Sequence, residues 1–397
     1  MDITLYPGKL SGKVTAIPSK SQAHRLLICA AFADVPTFLE CTQTNDDIEA
    51  TARCLNALGA KVSRTDTGYQ VVPANDFPPS AVLDCGESGS TLRFLLPVVC
   101  ALGVETTFQL HGRLPYRPLS PLWEELERMG CKLSRPTKVT IQTSGKLKAG
   151  EFKIAGNVSS QFISGLLFAA ALLDAPSNIT VTGKLESKPY VEMTQQALKT
   201  FGVKTDGFCV QGSYPFHSPG VVNVEGDWSN AAFFVVANAL GSNIELKNLR
   251  ADSPQGDKVV AELVKLETVQ NLSVADFPDL VPVLAVCFGA KYGAEFTDIS
   301  RLRLKESDRV ATVVAMLNQL GASAIATENT LTICPGNYQC CTIDAVGDHR
   351  IAMAAAIAAT VATGPVTILG AECVNKSYPA FWQVYQELGG QYEQYIR

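Results

Sequence analysis

One arrangement of apolar and polar positions recurs along the chain: a helix with a single apolar face ends in a leucine-rich turn, a glycine follows, and a strand begins. The recurring segments read LNALGAKV, LERMGCKL, LKTFGVKT, LNQLGASA and YQELGGQY, and their glycines are Gly59, Gly130, Gly202, Gly321 and Gly389. Glycine is favoured there because it readily adopts the left-handed conformation that ends many helices. The spacing is about 70 residues except for one longer gap, which predicts repeated α/β units.

The longer gap, between Gly202 and Gly321, has room for one degenerate copy of the pattern. VKLETVQN at residues 264–271 is the candidate, with Glu267 in the place of glycine. A leucine followed four residues later by glycine is also a common helix ending, so coincidence is the alternative explanation. With the degenerate copy included, the pattern predicts six units, three in each of two lobes.

The length of the chain and its turns predict where the lobes divide. The 397 residues exceed what one hydrophobic core usually holds. Turns rich in glycine and proline interrupt the pattern near residues 18–20 and 225–227. We therefore predict an α/β (α+β) protein in which residues 1–18 and 228–397 form one lobe and residues 19–227 form the other.

Composition excludes several classes of protein. The net charge is −5 and no run rich in Lys or Arg occurs, so a nucleic-acid partner is not expected. The longest apolar run, residues 351–362, is shorter than the roughly 20 residues that span a bilayer, and the first residues do not resemble a signal peptide. The twelve cysteines include no C-x-x-C pair, so they are expected to be reduced in a cytoplasmic protein, most of them as small core residues.

Five short motifs place cations, hydroxyls or carboxylates at the predicted starts of helices. The first, PSKSQAHR, puts three polar side chains on the first turns of a helix: Lys20, Ser21 and Arg25. Backbone N–H groups and the helix dipole favour an anion at such a position. An ordinary capped helix with solvated charges is the alternative reading of this motif.

The second motif, DCGESGSTLR at residues 84–93, is a turn of glycines and hydroxyl residues that opens an apolar helix. Gly89 would let backbone amides approach a ligand, although the motif is not a Walker A loop. Downstream, Arg117 precedes a proline, so extended backbone is expected there. Its guanidinium can offer a planar fork to a carboxylate or phosphate.

The other three motifs, and the segment SKPY that follows the third of them, carry further polar groups. VSSQF opens an apolar helix with more hydrogen-bonding groups than capping needs, and SKPY, with Ser187, precedes another helix. RLKESDR at 303–309 is predicted to hold Lys305, Glu306 and Arg309 within one helical turn, although a surface ion pair would also explain Glu306. GDHR places Arg350 at a helix start, where the dipole disfavours a cation, so a ligand is its expected partner.

Together and in this order, these motifs resemble those of the EPSP synthase family, the enolpyruvyl transferases of the shikimate pathway to chorismate. The resemblance runs essentially from end to end. It implies two lobes, each of three βαβαββ-type units, with the active site in the cleft between them. It also implies transfer of the enolpyruvyl group of phosphoenolpyruvate to the 5-hydroxyl of shikimate 3-phosphate, with release of phosphate through a tetrahedral intermediate. No metal or organic cofactor is used in this family, and its members are usually monomers.

The resemblance implies roles for individual residues. Shikimate 3-phosphate would be bound by Lys20, Ser21, Arg25, Ser159, Ser160, Gln161, Ser187, Asp279 and Lys305. Phosphoenolpyruvate would be bound by Lys20, Gly89, Arg117, Gln161, Arg309, Arg350 and Lys376. Asp279 would be the base for the 5-hydroxyl, and Glu306, helped by Lys20, would handle the proton at the methylene carbon.

The sequence departs from the family pattern at three places. Glu87 stands in a position where asparagine is common, so its carboxylate either points away from phosphoenolpyruvate or alters its binding. Arg301 lies where some members have an asparagine that contacts shikimate 3-phosphate, and it is not assigned to the site. His24 replaces a frequent asparagine, and no consequence is expected.

Two alternatives to this function remain from the sequence. The related transferase that acts on UDP-N-acetylglucosamine usually carries a cysteine in the loop near Arg117, and residues 113–117 contain none. A non-catalytic repeat scaffold would explain the periodicity but not the cations and carboxylates at the helix starts.

Overall fold

The computed structural model describes residues 1–213, 215–268 and 271–395. The chain forms two compact units, one of Met1–Ile17 and Glu225–Arg397 and the other of Pro18–Val224. The chain passes between the units after residues 17 and 224, slightly before the positions expected from the sequence, which are after residues 18 and 227.

The secondary-structure elements are numbered in chain order. The strands are β1 (Asp2–Tyr6), β2 (Ser11–Thr15), β3 (Thr37–Glu40), β4 (Lys61–Arg64), β5 (Gly68–Val72), β6 (Ser80–Asp84), β7 (Glu105–Gln109), β8 (Lys132–Thr137), β9 (Thr140–Ser144), β10 (Glu151–Ala155), β11 (Ser177–Thr182), β12 (Thr205–Asp206), β13 (Cys209–Val210), β14 (Val221–Asn223), β15 (Asn243–Lys247), β16 (Leu272–Ser273), β17 (Ala294–Thr297), β18 (Ser323–Ala326), β19 (Thr330–Cys334), β20 (Cys341–Asp344), β21 (Val366–Leu369) and β22 (Gln391–Tyr395). The α-helices are α1 (Lys20–Ala31), α2 (Asp46–Ala57), α3 (Gly89–Leu102), α4 (Leu122–Arg128), α5 (Ser160–Leu172), α6 (Lys188–Thr200), α7 (Trp228–Ala239), α8 (Val260–Leu263), α9 (Val281–Gly289), α10 (Arg309–Leu320), α11 (His349–Ala359) and α12 (Phe381–Glu387).

Within the described residues, five sheets of four strands follow one plan. A parallel pair of strands is continued by two antiparallel strands, as in β6-β7-β9-β8. The unit of Pro18–Val224 contains this sheet together with β14-β3-β5-β4 and β10-β11-β13-β12, and the other unit contains β16-β17-β19-β18 and β20-β21-β1-β22. The chain order β6–α3–β7–α4–β8–β9 is the predicted βαβαββ repeat, so the predicted fold class is confirmed.

The sixth repeat is reduced. Of the described residues, only β2 and β15 form its sheet, as a parallel pair. The degenerate copy predicted at residues 264–271 falls partly on Val269 and Gln270, which lie outside the described residues. In the described part the prediction of a helix ending there is wrong, because α8 already ends at Leu263. This copy lacks the glycine that follows the helix in the other five.

The five glycines have the predicted role. Their φ angles lie between +81° and +107°, in the left-handed region that favours glycine, at Gly59, Gly130, Gly202, Gly321 and Gly389. Each follows the last turn of a helix, and Gly321 itself caps α10. The prediction that they end the helices of the repeat is therefore confirmed.

The cores are built from helices that are apolar on nearly all sides. In the unit of Pro18–Val224, α3 packs on α5, and the absence of a side chain at Gly165 lets the backbone of Arg93 approach closely. In the other unit, α7, α9 and α11 pack on one another, and every residue of α11 is buried. Helices of this kind are expected inside a core, so they present polar groups at their ends, including their first turns.

The polar motifs lie at those first turns. Side chains at the N-caps of these helices accept hydrogen bonds from the backbone, as Ser19 does at α1, Ser88 at α3 and Ser159 at α5. The predicted burial of cysteines in the core is confirmed for Cys29, Cys54, Cys100 and Cys287. Among the described residues, no helix is both long and apolar enough to cross a membrane.

Candidate active site

The start of α1 is joined to the start of α2. Lys20 is the first residue of α1, and its Nζ lies 2.9 Å from Oδ2 of Asp47, in the first turn of α2. Asp47 is buried, and Lys20 is only 15% exposed at its side chain. Ser21, next in the chain, is half-buried. The ion pair with Asp47 therefore fixes the position of the Lys20 ammonium group near the surface of the unit.

Arg25 is buried one turn further along α1. Its Nε donates to Thr194 Oγ1 at 2.8 Å and its Nη2 donates to the Tyr190 carbonyl at 2.8 Å, which ties α1 to α6. Its guanidinium also stacks on the ring of Phe94, 4.9 Å from the centroid. Burial lowers its pKa to about 10, so the group is still charged at neutral pH.

The turn before α3 brings Gly89 against Arg117. A Cβ atom on Gly89 would lie 2.6 Å from Nη1 of Arg117, so a side chain at this position would displace the guanidinium. Arg117 has the expected extended backbone, with φ −77° and ψ 135°. The exposed Glu87 directs its carboxylate against the Cα atom of Gly112, in the loop that precedes Arg117.

Gln161 is oriented by an arginine that the site prediction did not include. Nη1 of Arg93 donates to Oε1 of Gln161 at 2.7 Å, and Gln161 Nε2 donates to Ser90 Oγ at 2.9 Å. Arg93 also donates to the carbonyl of Pro118, at 3.0 Å. One buried guanidinium therefore connects the starts of α3 and α5 with the segment that carries Arg117.

Three predicted serines precede or begin helices of this unit. Ser159 caps α5 and accepts from the Gln161 amide at 3.3 Å, and Ser160 is the first residue of the helix. Ser187 precedes α6 in the left-handed conformation, with φ +55°, which is uncommon for a residue with a side chain. All three are buried.

The prediction for residues 303–309 is wrong in its local structure. A 3₁₀ helix, Ser300–Leu304, ends before Lys305, and α10 begins only at Arg309. The reason is Asp308, which accepts from the Ala311 amide at 3.0 Å and so caps α10 at its own position. Lys305 and Glu306 consequently lie in the connection between two helices rather than on one helical turn.

The same segment nevertheless brings its charged groups together around Asp279. Asp279 lies in a short 3₁₀ helix, Pro278–Leu280. Its carboxylate is 2.8 Å from Nη1 of Arg309, 3.1 Å from Nη2 of Arg350 and 3.4 Å from Nζ of Lys305. A second carboxylate, Glu306, lies 2.7 Å from Nη2 of Arg309. Two carboxylates thus share three cations within one unit.

Asp348 is a buried partner of this cluster. It is fully buried, caps α11 by accepting from the Arg350 amide at 3.0 Å, and accepts from Arg309 Nε at 2.9 Å. Ser307 Oγ donates to it as well, at 3.0 Å. Asp348 therefore fixes both the guanidinium of Arg309 and the start of the helix that carries Arg350.

The proximity of these charges alters their pKa values. Burial alone would raise the pKa of Asp279, but Arg350, Lys305 and Arg309 together hold it well below its usual range. Burial lowers the pKa of Lys305 to about 8, and the attraction of Asp279 offsets only part of this effect. The cluster therefore contains an ionised carboxylate and a lysine that titrates slightly above neutral pH.

Lys376 belongs to the same unit and ends a 3₁₀ helix, Ala371–Lys376, that packs against α11. It is half-buried. The described residues contain no group of three or more His, Cys, Asp or Glu side chains that could hold a metal ion.

The site assignment from sequence did not include three residues that orient the predicted ones: Asp47, Arg93 and Asp348. Each could be noticed in the sequence only as a charge near a helix start. Their partners are 27, 68 and 39 residues away along the chain, so the pairings depend on tertiary structure.

Comparisons with known proteins agree with this arrangement of motifs. Residues 6–385 match the family model of EPSP synthase (3-phosphoshikimate 1-carboxyvinyltransferase). The chain is 39% identical to the 3-phosphoshikimate 1-carboxyvinyltransferase of Clostridium beijerinckii, over 99% of both chains. It is 37% identical to the enzyme of the same name from Clostridium kluyveri, over 99% of this chain and 98% of the relative.

Solved structures show the same fold. The EPSP synthase of Acinetobacter baumannii superposes with a TM-score of 0.80 at 23% identity, covering 99% of this chain and 100% of the other. The enolpyruvyl transferase NikO from Streptomyces tendae superposes with a TM-score of 0.74 at 14% identity, covering 99% and 98%. These identities support the fold alone, whereas the family follows from the family model and the curated relatives. The chain belongs to the EPSP synthase (3-phosphoshikimate 1-carboxyvinyltransferase) family.

Proposed function

We propose that this protein transfers the enolpyruvyl group of phosphoenolpyruvate to the 5-hydroxyl of shikimate 3-phosphate, with release of phosphate, in the shikimate pathway. Family membership supports the reaction, and the Asp279 cluster is the observation that carries it. Both substrates are multiply anionic, and the cluster holds three cations at one place. The reaction needs a proton acceptor and a proton donor, and the cluster holds two carboxylates.

The chemistry divides between these two carboxylates. Asp279 accepts the proton of the 5-hydroxyl as the hydroxyl oxygen bonds to C2 of phosphoenolpyruvate, while Glu306, which takes up a proton before this step, gives that proton to the methylene carbon. The result is a tetrahedral intermediate with a methyl group. Phosphate then leaves C2 as the methyl group returns a proton to Glu306, which restores the double bond. The proton on Asp279 leaves with phosphate or passes to solvent.

The cations have two tasks in this proposal. Arg309 and Arg350 neutralise the carboxylate and the departing phosphate, which is usually a large share of rate enhancement. When an anionic substrate draws these guanidinium groups towards itself, the electrostatic effect that lowers the pKa of Asp279 weakens. Asp279 then becomes a stronger base when the substrates are bound than when they are absent.

The other unit also carries residues of the family motifs. The family motifs with Lys20, Gly89, Arg117 and Gln161 belong to the unit of Pro18–Val224. Because these motifs carry the family resemblance together with those of the Asp279 cluster, we assign both sets of residues to one reaction. We also propose that the protein acts as a cytoplasmic monomer without metal or organic cofactor.

The test is phosphate release by the purified protein, checked to be a monomer of about 42.5 kDa by light scattering. Release is expected to require both shikimate 3-phosphate and phosphoenolpyruvate and to persist with a metal chelator. Glu306→Gln is expected to lower kcat by roughly 100- to 10,000-fold, the usual contribution of a general acid or base. The exposed Glu328, in the same unit, provides the control variant Glu328→Gln, which should retain full activity.

Other results would redirect the proposal. Release that survives Glu306→Gln would move the proton chemistry to Lys20 or Asp279. Release that occurs only with UDP-N-acetylglucosamine in place of shikimate 3-phosphate would assign the chain to the other enolpyruvyl transferase. No release with either acceptor would contradict the enzymatic function and favour the scaffold.

The pKa of Lys305 predicts how activity depends on pH. Because this pKa is lowered to about 8, the group loses its positive charge as the pH rises through that value. The KM for shikimate 3-phosphate is therefore expected to increase above pH 8. Lys305→Arg, which does not titrate in this range, should remove that inflection. An inflection that persists in this variant would contradict the assignment.

Unfolding of the protein would not explain this increase in KM with pH. The unfolded state binds more protons than the folded state between the folded pKa of about 8 and the ordinary value of 10.5. The contribution of Lys305 to the free energy of unfolding consequently rises with pH across this window. A decline in substrate binding without a fall in thermal stability is the expected signature.

A further inference from the structure

A chain of buried hydrogen bonds connects α1, α2 and α3 in the unit of Pro18–Val224. Nδ1 of His24 lies 2.7 Å from Oγ1 of Thr51, which lies 2.7 Å from Oγ1 of Thr91. Thr91 Oγ1 in turn donates to Oγ of Ser88 at 2.7 Å. All four side chains are fully buried. The chain ends at the residue that caps α3, next to Gly89.

Each hydrogen bond in this chain of side chains is donated in the same direction, from His24 towards Ser88. Burial lowers the pKa of His24 to about 3, so its ring is neutral at neutral pH and carries one N–H. Nε2 is buried and has no hydrogen-bond partner among the described residues. A proton there would be a buried donor without an acceptor, which is costly, so the proton belongs on Nδ1. Nδ1–H then donates to Thr51, Thr51 to Thr91, and Thr91 to Ser88.

The receiving end is the start of α3. Ser88 Oγ accepts from Thr91 Oγ1 and, as N-cap, from the Thr91 amide at 3.2 Å. Because both the amide and the hydroxyl of Thr91 donate to Ser88 Oγ, the orientation of the capping side chain is fixed. The next residue is Gly89, against which the guanidinium of Arg117 lies.

We propose that His24 is a positioning residue that, through Thr51 and Thr91, fixes the start of α3 so that Gly89 and Arg117 are placed to bind phosphoenolpyruvate. The inference rests on the proposed function. Helix α2 supplies the link, because Thr51 lies one turn after Asp47, the partner of Lys20. The helix that orients Lys20 thus also orients the turn with Gly89. His24 therefore has a role here, contrary to the expectation from sequence that it has no consequence.

Thr51→Val tests the chain at its centre. Valine has nearly the shape of threonine but removes both hydrogen bonds of Thr51. The KM for phosphoenolpyruvate is expected to rise about tenfold, which corresponds to about 1.4 kcal/mol, while the KM for shikimate 3-phosphate changes less than about twofold. Thr51→Ser retains the hydroxyl and should restore the wild-type KM. Thr91→Val breaks the same chain independently, and the double variant should be no worse than the more severe single one.

A matched control separates positioning from a general loss of stability. Thr106, in β7, is also buried in this unit, and its hydroxyl donates to the backbone carbonyl two residues earlier, that of Val104, at 3.0 Å. Thr106→Val should lower thermal stability without changing either KM. The inference would be overturned if Thr51→Val and Thr106→Val had equal KM values at similar stability. It would also be overturned if the effects of the Thr51 and Thr91 changes were additive. Absence of phosphate release by the wild-type protein would instead reject the proposed function itself.

Discussion

Replacement of Asp279 by asparagine is expected to lower kcat for phosphate release on the order of 1000-fold, as the loss of a general base does. The amide has the size of the carboxylate but cannot accept the proton of the 5-hydroxyl. It also removes the negative charge shared by Arg309, Arg350 and Lys305. Because those cations would then be free to bind anionic substrates, KM should remain unchanged or fall.

The separation of kcat from KM distinguishes this role from simple disruption of the cluster. Steady-state kinetics of phosphate release would measure both constants for each substrate. Asp276→Asn, three residues earlier and exposed, is the control and should retain wild-type kinetics. An Asp279→Asn variant with normal kcat and a raised KM would show that Asp279 orients the cations and is not the base.

Replacement of Asp348 by asparagine is expected to cause the largest loss of stability, about 3–5 kcal/mol in the free energy of unfolding. Asparagine still caps α11 well, so the change isolates the ion pair with Arg309. Arg309 is fully buried, and its Nε would lose its charged partner at 2.9 Å. A buried guanidinium with one carboxylate fewer is costly, because water cannot replace the partner.

Denaturation by urea, followed by circular dichroism, would measure this loss. The exposed pair of Glu262 and Lys265, 2.9 Å apart in the same unit, provides the control. Glu262→Gln should change the free energy of unfolding by less than about 1 kcal/mol, as is usual for exposed pairs. An Asp348→Asn variant as stable as this control would contradict the anchoring role of Asp348.

Features set by neighbouring residues could be predicted from the sequence. The glycines that end helices, the serines and aspartates that cap them, and the extended backbone of Arg117 before proline all follow from local conformational preferences. These preferences also place the polar motifs at the starts of buried helices. Because the same local pattern recurs along the chain, it also predicted the repeated units that make up the fold.

Features that depend on distant partners could not be predicted in the same way. The sequence of residues 303–309 suggested one helical turn, but the cap at Asp308 delays the helix to Arg309. The cluster still forms because Asp279 and Asp348, from other parts of the chain, draw Arg309 between them. His24 is a similar case, since its partner Thr51 is 27 residues away and its burial is a tertiary property.

The most direct test of the proposed function is the identity of the products, observed by ³¹P NMR with the wild-type protein. Shikimate 3-phosphate and phosphoenolpyruvate should disappear together, and inorganic phosphate and one new phosphate monoester should appear in equal amounts. Persistence of shikimate 3-phosphate would contradict the proposal, whether phosphoenolpyruvate is left intact or is consumed only when UDP-N-acetylglucosamine is supplied.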